Sequence, residues 1–458
     1  MFRNLKLSGN FRVPFYLQFS RKQIEHSVTA PSAHQFLRQV TLVLIFIFAL
    51  PSFSFGYELT PAETKLLRKI EQDTLRYFLR EADANTGLVR DSSRAGSPSS
   101  VAATGFGLAA WAIGADRGWI THDLAQNKIL KALITLESVA EHAHGFFYHF
   151  LDMRTGKRAW KSEASSIDTA LLVAGALTAA QYYPGTEIEK RALKIYARVN
   201  WKWMLNGSDL ICMGWTPENK FLPYYWDSYN ELLILQALAI GAPKNPVPPE
   251  AWNAWFRNED EYHGRKVIYS HSGSLFTYQY PHAFIDFKHL DDAGINYFEN
   301  SVQATLANRE YSLGFDNEFK SYNTYSWGLS AAGGAGGYKA YGGKPGKGIQ
   351  DGTIAPHAAI GSLPFTPKES LDAIKYFYLK LGNRIYKKYG FTEAFNIDKK
   401  FYSNEYLGID QGLILLMLEN FTNDGAIWKR FMKLDCINRW IQLARLKEAP
   451  APLAQPDQ

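Results

Sequence analysis

Cysteine is almost missing from this chain: Cys212 and Cys436 are the only two in 458 residues. They can pair in an oxidising compartment, but two thiols make no disulfide framework and exclude cysteine-rich zinc sites. The usual catalytic signatures are missing too. There is no His-Glu-x-x-His, no Asp/Asn-rich calcium loop and no Gly-x-Ser-x-Gly elbow. His142, His144 and His149 lie close together without metal-ligand spacing and read as hydrogen-bonded loop residues. The glycine-rich run 333–337 lacks the Gly-Lys-Ser/Thr ending and leading strand of a phosphate loop, so it reads as a flexible loop beside a site. No apolar run reaches the roughly 20 residues that span a bilayer comfortably. The longest candidate, Val40 to Phe55, follows six basic residues and ends at the small Ser54 and Gly56. Residues 1–56 therefore read as a signal peptide with a long basic leader, an uncleaved anchor being the alternative, and the expected setting is periplasmic or secreted.

Charge of one sign is also scarce once that leader is set aside. The net charge of +6 comes mostly from residues 1–56, which hold six Lys/Arg and one Glu, and the remainder is close to neutral. A near-neutral body leaves nothing to argue for nucleic acid or an anionic surface, which would need a basic face or stripe. What is present is apolar and aromatic material: 46% hydrophobic and 15% aromatic residues, enough for a large core.

That material falls into two kinds of helix. Amphipathic ones begin at Thr60-Pro61-Ala-Glu63 and Thr366-Pro367-Lys-Glu369, both with the form of a capping box with proline at the first helical position. Others are apolar on every side and rich in small residues: Val101 to Ile113, Ala170 to Ala180, Leu232 to Ile240, Ile354 to Ile360 and Leu413 to Leu418. Their polar starts, Ser100, Ser165, Ser228, Thr353 and Asp410, recur about every 62 residues if one is missing near residue 290, where Leu275 to Phe287 is the nearest candidate. One amphipathic outer helix plus one buried inner helix fits that period. Six such hairpins predict an all-α fold, an α/α six-hairpin barrel over 57–447 with long loops at the active-site end, an open solenoid being the alternative. His144 to Leu151 and Lys266 to Ser270 are candidate short strands. The Pro/Ala-rich tail 448–458 reads as disordered.

Chemistry is expected where carboxylates meet the buried helices. Glu231 stands at the mouth of Leu232–Ile240, among Tyr224, Tyr225, Trp226 and Tyr229, rings that suit the alternating faces of a sugar. Ser228 and Glu231 also have the spacing of a capping box, and Asp410 in Gly-Ile-Asp-Gln-Gly is placed as a helix N-cap would be. Two carboxylates at facing mouths are what glycoside hydrolysis requires: an acid for the leaving oxygen and a base for water. Glu231 is expected to be raised in pKa by its apolar surroundings, with Asp410 ionised in a wetter position. Glu163 and Asp168 form a third acidic cluster, for sugar hydroxyls or a proton relay, again with helix capping as the alternative. Asp291-Asp292 reads as a solvated pair.

The motifs HGFFYHFLDMRTGKRAW (144–160), WDSYNE (226–231), YFENSVQATLANREY (297–311), GGYKAYG (336–342), DGTIAPHAAIGSLPFTP (351–367) and YLGIDQGLILLMLEN (406–420) resemble the glucoamylase-like domain proteins of glycoside hydrolase family 144, which includes endo-β-1,2-glucanases. The resemblance implies an α/α barrel, no metal or cofactor, and inverting hydrolysis of β-1,2-glucan with Glu231 as acid and Asp410 as base, acting through a relay. Candidate substrate-binding residues are Glu163, Asp168, Trp226, Asp227, Tyr229, Asn230, Asp286 and Trp327. The expected partner is a glucan oligo- or polysaccharide, bound by a monomer. A glucan-binding protein without turnover, an exo-acting glucosidase and a polysaccharide lyase on the same barrel are the alternatives.

Overall fold

Helix α1 (Pro61–Arg80) starts as its sequence dictates: Thr60 accepts the Glu63 N–H, and Glu63 returns a bond to the Thr60 N–H at 2.8 Å. The computed structural model describes residues 57–449; the leader and Pro450 onwards lie outside the described residues. Next come α2 (Val101–Asp116), α3 (His122–Ser138), α4 (Ser166–Tyr182), α5 (Glu187–Arg198), α6 (Leu232–Ile240), α7 (Phe276–Gln279), α8 (Tyr297–Leu313), α9 (Pro356–Gly361), α10 (Pro367–Tyr376) and α11 (Gly408–Thr422). Two short helices follow, α12 (Ala426–Phe431) and α13 (Asp435–Leu443).

The apolar helices close a ring: α2 packs on α4, α4 on α6, α6 on the 3₁₀ turn Pro281–Ala283 that continues α7, α7 on α9, α9 on α11, and α11 back on α2. The amphipathic α1, α3, α5 and α10 lie outside, as does α8, whose buried face is largely polar or small (Asn300, Ser301, Thr305, Asn308). Small residues let inner helices touch. A Cβ on Gly175 would lie 1.9 Å from the Gly105 carbonyl oxygen, and one on Gly412 would lie 2.2 Å from the Phe106 ring. The expected α/α barrel is thus the observed fold, and its core runs between the two layers and inward, where Phe106 of α2 meets Tyr280 and Phe284 at 5.7 Å.

One hairpin departs from the repeat. Its inner arm begins at Phe276, well before residue 290, and is a single turn; its outer arm is only the 3₁₀ turn Pro249–Asn253. The C-terminal α13 covers α6 there instead, with Trp440 edge-on to Trp252 (5.3 Å) and Phe287 (6.0 Å). Helix α12 follows α11 through Gly425 (φ +65) and packs on α4 and α11, at the C-terminal end of α11.

Several local expectations need correction. Thr366 makes no cap bond to α10. The candidate strand 144–151 breaks into two-residue pieces, Phe146–Phe147 and Phe150–Leu151, whereas Arg265–Ile268 does pair with Glu259–Tyr262. The glycine-rich run is a β-hairpin, Ala331–Gly334 with Gly337–Ala340, because ladder bonds and a turn at Gly337 (φ +90) fix it. Asp292 is not solvated: buried, it receives the Tyr297 hydroxyl at 2.7 Å and the Arg257 guanidinium at 2.9 Å. Lys447–Glu448 pairs with Leu290–Asp291, so order runs past the expected boundary at 448. Cys212 and Cys436 are both free and buried. Among the described residues no helix is long and apolar enough to cross a membrane.

Candidate active site

The N-terminal ends of the inner helices carry the acidic residues. Glu231 is the residue from which α6 starts, Asp168 lies in the first turn of α4, and Asp410 in the first turn of α11. Exposed N–H groups and the helix dipole favour carboxylates there.

Glu231 does not cap its helix. No side-chain cap bond forms at α6. Ser228 donates its hydroxyl to Asp227 instead (3.0 Å), and Asn230 Oδ1 accepts the Leu232 N–H (2.8 Å). The carboxyl of Glu231 is half-buried, and burial pushes its pKa up to about 7, with Asp168 adding to the effect. Such a group carries a proton near neutrality and can give it away.

Asp410 does not cap either: the N-cap of α11 is Leu407. Only 3% exposed, Asp410 is the drier of the two carboxylates, contrary to expectation. The reason is the chain that crosses its mouth, where Gly408 N–H bonds to the Asp91 carbonyl at 2.7 Å and Ser92 bridges Leu407. Its Oδ2 lies 3.1 Å from His357 Nδ1, in the first turn of α9.

Around this pair lies a network that the spacing of motifs does not reveal. His149 stands between two carboxylates, Nδ1 at 3.0 Å from Glu163 and Nε2 at 3.5 Å from Asp168. Burial works against its charge, but Asp168 and then Glu163 hold its pKa up to about 9, and the Glu163 carboxyl is lowered in return against its own burial. Asp168 also takes the Ser165 hydroxyl at 2.6 Å. Burial raises Asp91 to about 6, with His149 opposing and Asp168 and Asp410 adding, and raises Glu393 to about 7, with Asp410 adding. The phenol of Tyr280 is pushed well up by burial, then by Asp410, Tyr338, Glu231 and Asp168, so both candidate catalytic carboxylates act on one ring. Tyr338, on the glycine-rich hairpin, feels Asp410, Glu393, Asp91 and Glu231. A cleft of 680 Å³ opens beside this network, lined by Asp91, Arg94, Trp160, Tyr338, Glu393, Tyr402 and Glu405 among others. Trp160 and Tyr338 are 66% and 65% exposed, which leaves two flat rings free to meet a sugar.

Other expected substrate-binding residues lie elsewhere. Tyr229, in the bend that precedes α6, is turned into the core and stacked on Tyr278 at 5.0 Å. Trp226 is buried with its N–H donated to Ser166 at 2.8 Å, and Trp327 is completely buried. Asp227 is exposed and Asn230 is occupied by the Leu232 N–H. Asp286 lines a separate pocket with Asp424 and Lys429, residues that follow the C-terminal end of α11, and it binds the Lys288 N–H and His289 there. Asp91, His149, His357, Glu393, Tyr280 and Tyr338 are the site residues that sequence reasoning missed. Asp91 and Glu393 sit in loops without a motif, whereas His149, His357 and Tyr338 lie inside stretches that carry the family resemblance.

Comparison with known proteins gives this geometry a context. Residues 223–435 match the family model named Glycoamylase. An exo β-1,2-glucooligosaccharide sophorohydrolase (non-reducing end) from Parabacteroides distasonis is 28% identical over 419 residues, 83% of this chain and 58% of that protein. An endo-β-1,2-glucanase from Chitinophaga pinensis, solved with sophorotriose and glucose, superposes with a TM-score of 0.79 at 28% identity, over 85% of this chain and 99% of that one. Residues 223–435 thus carry a glucoamylase-like match, and the chain is similar over most of its length to β-1,2-glucan hydrolases. The solved β-1,2-glucanase from Parabacteroides distasonis also superposes on this chain at a TM-score of 0.79 and 28% identity, over 85% of this chain and 60% of that one. The chain thus spans less than two thirds of the curated relative's length.

Proposed function

We propose that this glucoamylase-like domain is a glycoside hydrolase that cleaves β-1,2-glucan by an inverting acid/base mechanism. The observation that carries the reading is the contrast between two carboxylates at one barrel mouth: Glu231, uncapped and raised to about 7, and Asp410, uncapped and held beside His357. Glu231 gives its proton to the leaving glycosidic oxygen as that bond breaks. Asp410 takes a proton from the attacking water, directly or through a sugar hydroxyl, as the new bond to the anomeric carbon forms. Trp160 and Tyr338 supply stacking faces, and the Glu163–His149–Asp168 group supplies fixed acceptors and a donor for hydroxyls. The named activities of the relatives support β-1,2-glucan as the substrate, and their division into exo and endo modes makes product size the informative measurement.

Incubation of the purified chain with linear β-1,2-glucan and, separately, with starch tests the reading. New reducing ends from β-1,2-glucan alone are expected. Sophorose as the sole product marks exo action and a ladder of oligosaccharides marks endo action; glucose from starch only overturns the linkage. Binding of glucan without new reducing ends turns the reading into a carbohydrate-binding protein, and an unsaturated product from anionic polysaccharide turns it into a lyase. A periplasmic or secreted location is part of the proposal, supported by the basic and apolar pattern of residues 1–56, and N-terminal sequencing of the exported protein checks it.

A further inference from the structure

We propose that His357 is the positioning residue of the base: its Nδ1 holds the Asp410 carboxylate in the orientation that presents the other oxygen to water or to a relaying sugar hydroxyl. The inference deepens the hydrolase reading and rests on it for the role of Asp410.

Asp410 has little else to hold it. It sits in the first turn of α11, yet that helix has no side-chain cap bond, and Oδ2 makes no well-formed hydrogen bond among the described residues. A carboxylate buried without a donor is costly to ionise and free to turn about its side-chain bonds. The close polar neighbour of this one is His357 Nδ1, at 3.1 Å. His357 is itself only 2% exposed, and Nε2 has no hydrogen-bond partner among the described residues. Nδ1 is within reach of the buried carboxylate without a formed hydrogen bond, and an imidazole buried with neither nitrogen bonded among the described residues is poorly explained by packing, since buried polar groups are nearly always paired.

The backbone under His357 is well fixed. Pro356 starts α9, the Ala355 N–H bonds to the Gly328 carbonyl at 3.0 Å, and Ile354 exchanges both ladder bonds with Phe395. This frame holds the backbone from which the ring projects. Glu393 faces the same pair: burial raises its pKa most, Asp410 adds to the rise and His357 opposes it slightly. Its Oε1 takes the Gly333 N–H, so the pair is also linked to the hairpin that carries Tyr338.

The chemistry balances without a new reactant. With its proton on Nδ1, neutral His357 needs only a small turn of its ring to donate across the 3.1 Å gap to Oδ2, and in this scheme it keeps that bond through the cycle. Oδ1 accepts the proton of the attacking water while Glu231 gives up its own to the leaving oxygen, so the imidazole neither gains nor loses a proton over the cycle. His357 acts only through Asp410 and does not touch the sugar in this scheme.

Three substitutions separate this role from a structural one. Loss of the orienting contact in His357→Ala is expected to cut kcat by about tenfold to a hundredfold with KM within about threefold, the scale of a small misplacement of a catalytic group. His357→Asn places an amide nitrogen near the Nδ1 position and is expected to recover most of kcat. His357→Gln carries its amide out toward the Nε2 position and is expected to stay low. A second arm needs no turnover: in ¹⁵N-histidine spectra of the wild-type chain, the proton of His357 is expected on Nδ1, and that resonance is expected to move in Asp410→Asn. If the wild type cleaves no β-1,2-glucan but the spectra behave so, the hydrolase reading fails while the contact stands. If His357→Ala does not fold, the Asn and Gln variants and the spectra decide. A proton on Nε2 alone that ignores Asp410→Asn, wild-type kcat in a folded His357→Ala, or equal recovery by Asn and Gln overturns the proposal.

Discussion

Replacing Glu231 by Gln separates catalysis from capping more sharply than any other single change. The carboxyl has an ordinary value of 4.5 and is raised to about 7 in the folded chain, chiefly by burial. At about 1.4 kcal/mol per unit, keeping that group ionised in the folded state costs on the order of 3 kcal/mol. Because the folded pKa is the higher one, the folded state binds the proton more tightly, and the group's contribution to stability is fully present below about pH 4.5. It is lost progressively as pH rises through about 7. Glu231→Gln has no charge to bury, so its stability relative to wild type should improve from pH 4.5 to pH 8 by up to about 3 kcal/mol, less whatever solvent screening the half-buried carboxyl retains. Urea unfolding of both proteins at the two pH values measures this. Over the same change kcat on β-1,2-glucan should fall at least about a hundredfold, as for removal of a general acid. Wild-type kcat should also decline above about pH 7 as the acid loses its proton. A capping role predicts the opposite pattern: a loss of about 1 kcal/mol at both pH values with near-normal turnover. That outcome would refute the assignment.

Asp410→Asn should fold and bind glucan but lose at least about a hundredfold in kcat, measured by reducing-end release. Tyr338→Ala should raise KM more than it lowers kcat, because an exposed ring worth about 1 to 3 kcal/mol in stacking is removed while the carboxylates stay in place, and steady-state kinetics will show which parameter moves. Asp286→Ala should leave kcat and KM unchanged, since its bonds to Lys288 and His289 lie in a different pocket, and should cost about 1 kcal/mol of stability in urea unfolding. Gly175→Ala should destabilise by several kcal/mol or prevent folding, because its Cβ would lie 1.9 Å from the Gly105 carbonyl oxygen on the facing helix, an overpacking that backbone must move to relieve.

Much of this architecture is written along the chain. Helices with apolar residues on every side have to be buried, and helices with one apolar stripe have to lie over them, so alternation at a regular spacing was enough to reach an α/α barrel. Glu231 and Asp410 were legible for a related reason: a carboxylate at the start of an all-apolar helix lies at the boundary of the core whatever the neighbours do. Local sequence also carries the Thr60–Glu63 cap, which depends on residues three apart and nothing further away.

Tertiary structure alone decided the rest. Tyr229 and Trp226 stand near Glu231 in sequence but turn into the core, where Tyr229 stacks on Tyr278 and Trp226 donates its N–H to the Ser166 hydroxyl. The short fourth hairpin is covered by α13, from the far end of the chain, and no periodicity predicts such a replacement. The groups that complete the site, Asp91, His149, His357 and Glu393, come from four separate segments. Their charges are set by one another across space: His149 is held charged by Glu163 and Asp168, and Glu393 is raised by burial and by Asp410. Burial and Coulomb interaction depend on distance in the folded molecule, which ring closure brings about, so the sequence could name the two carboxylates but only the closed barrel could supply their neighbours.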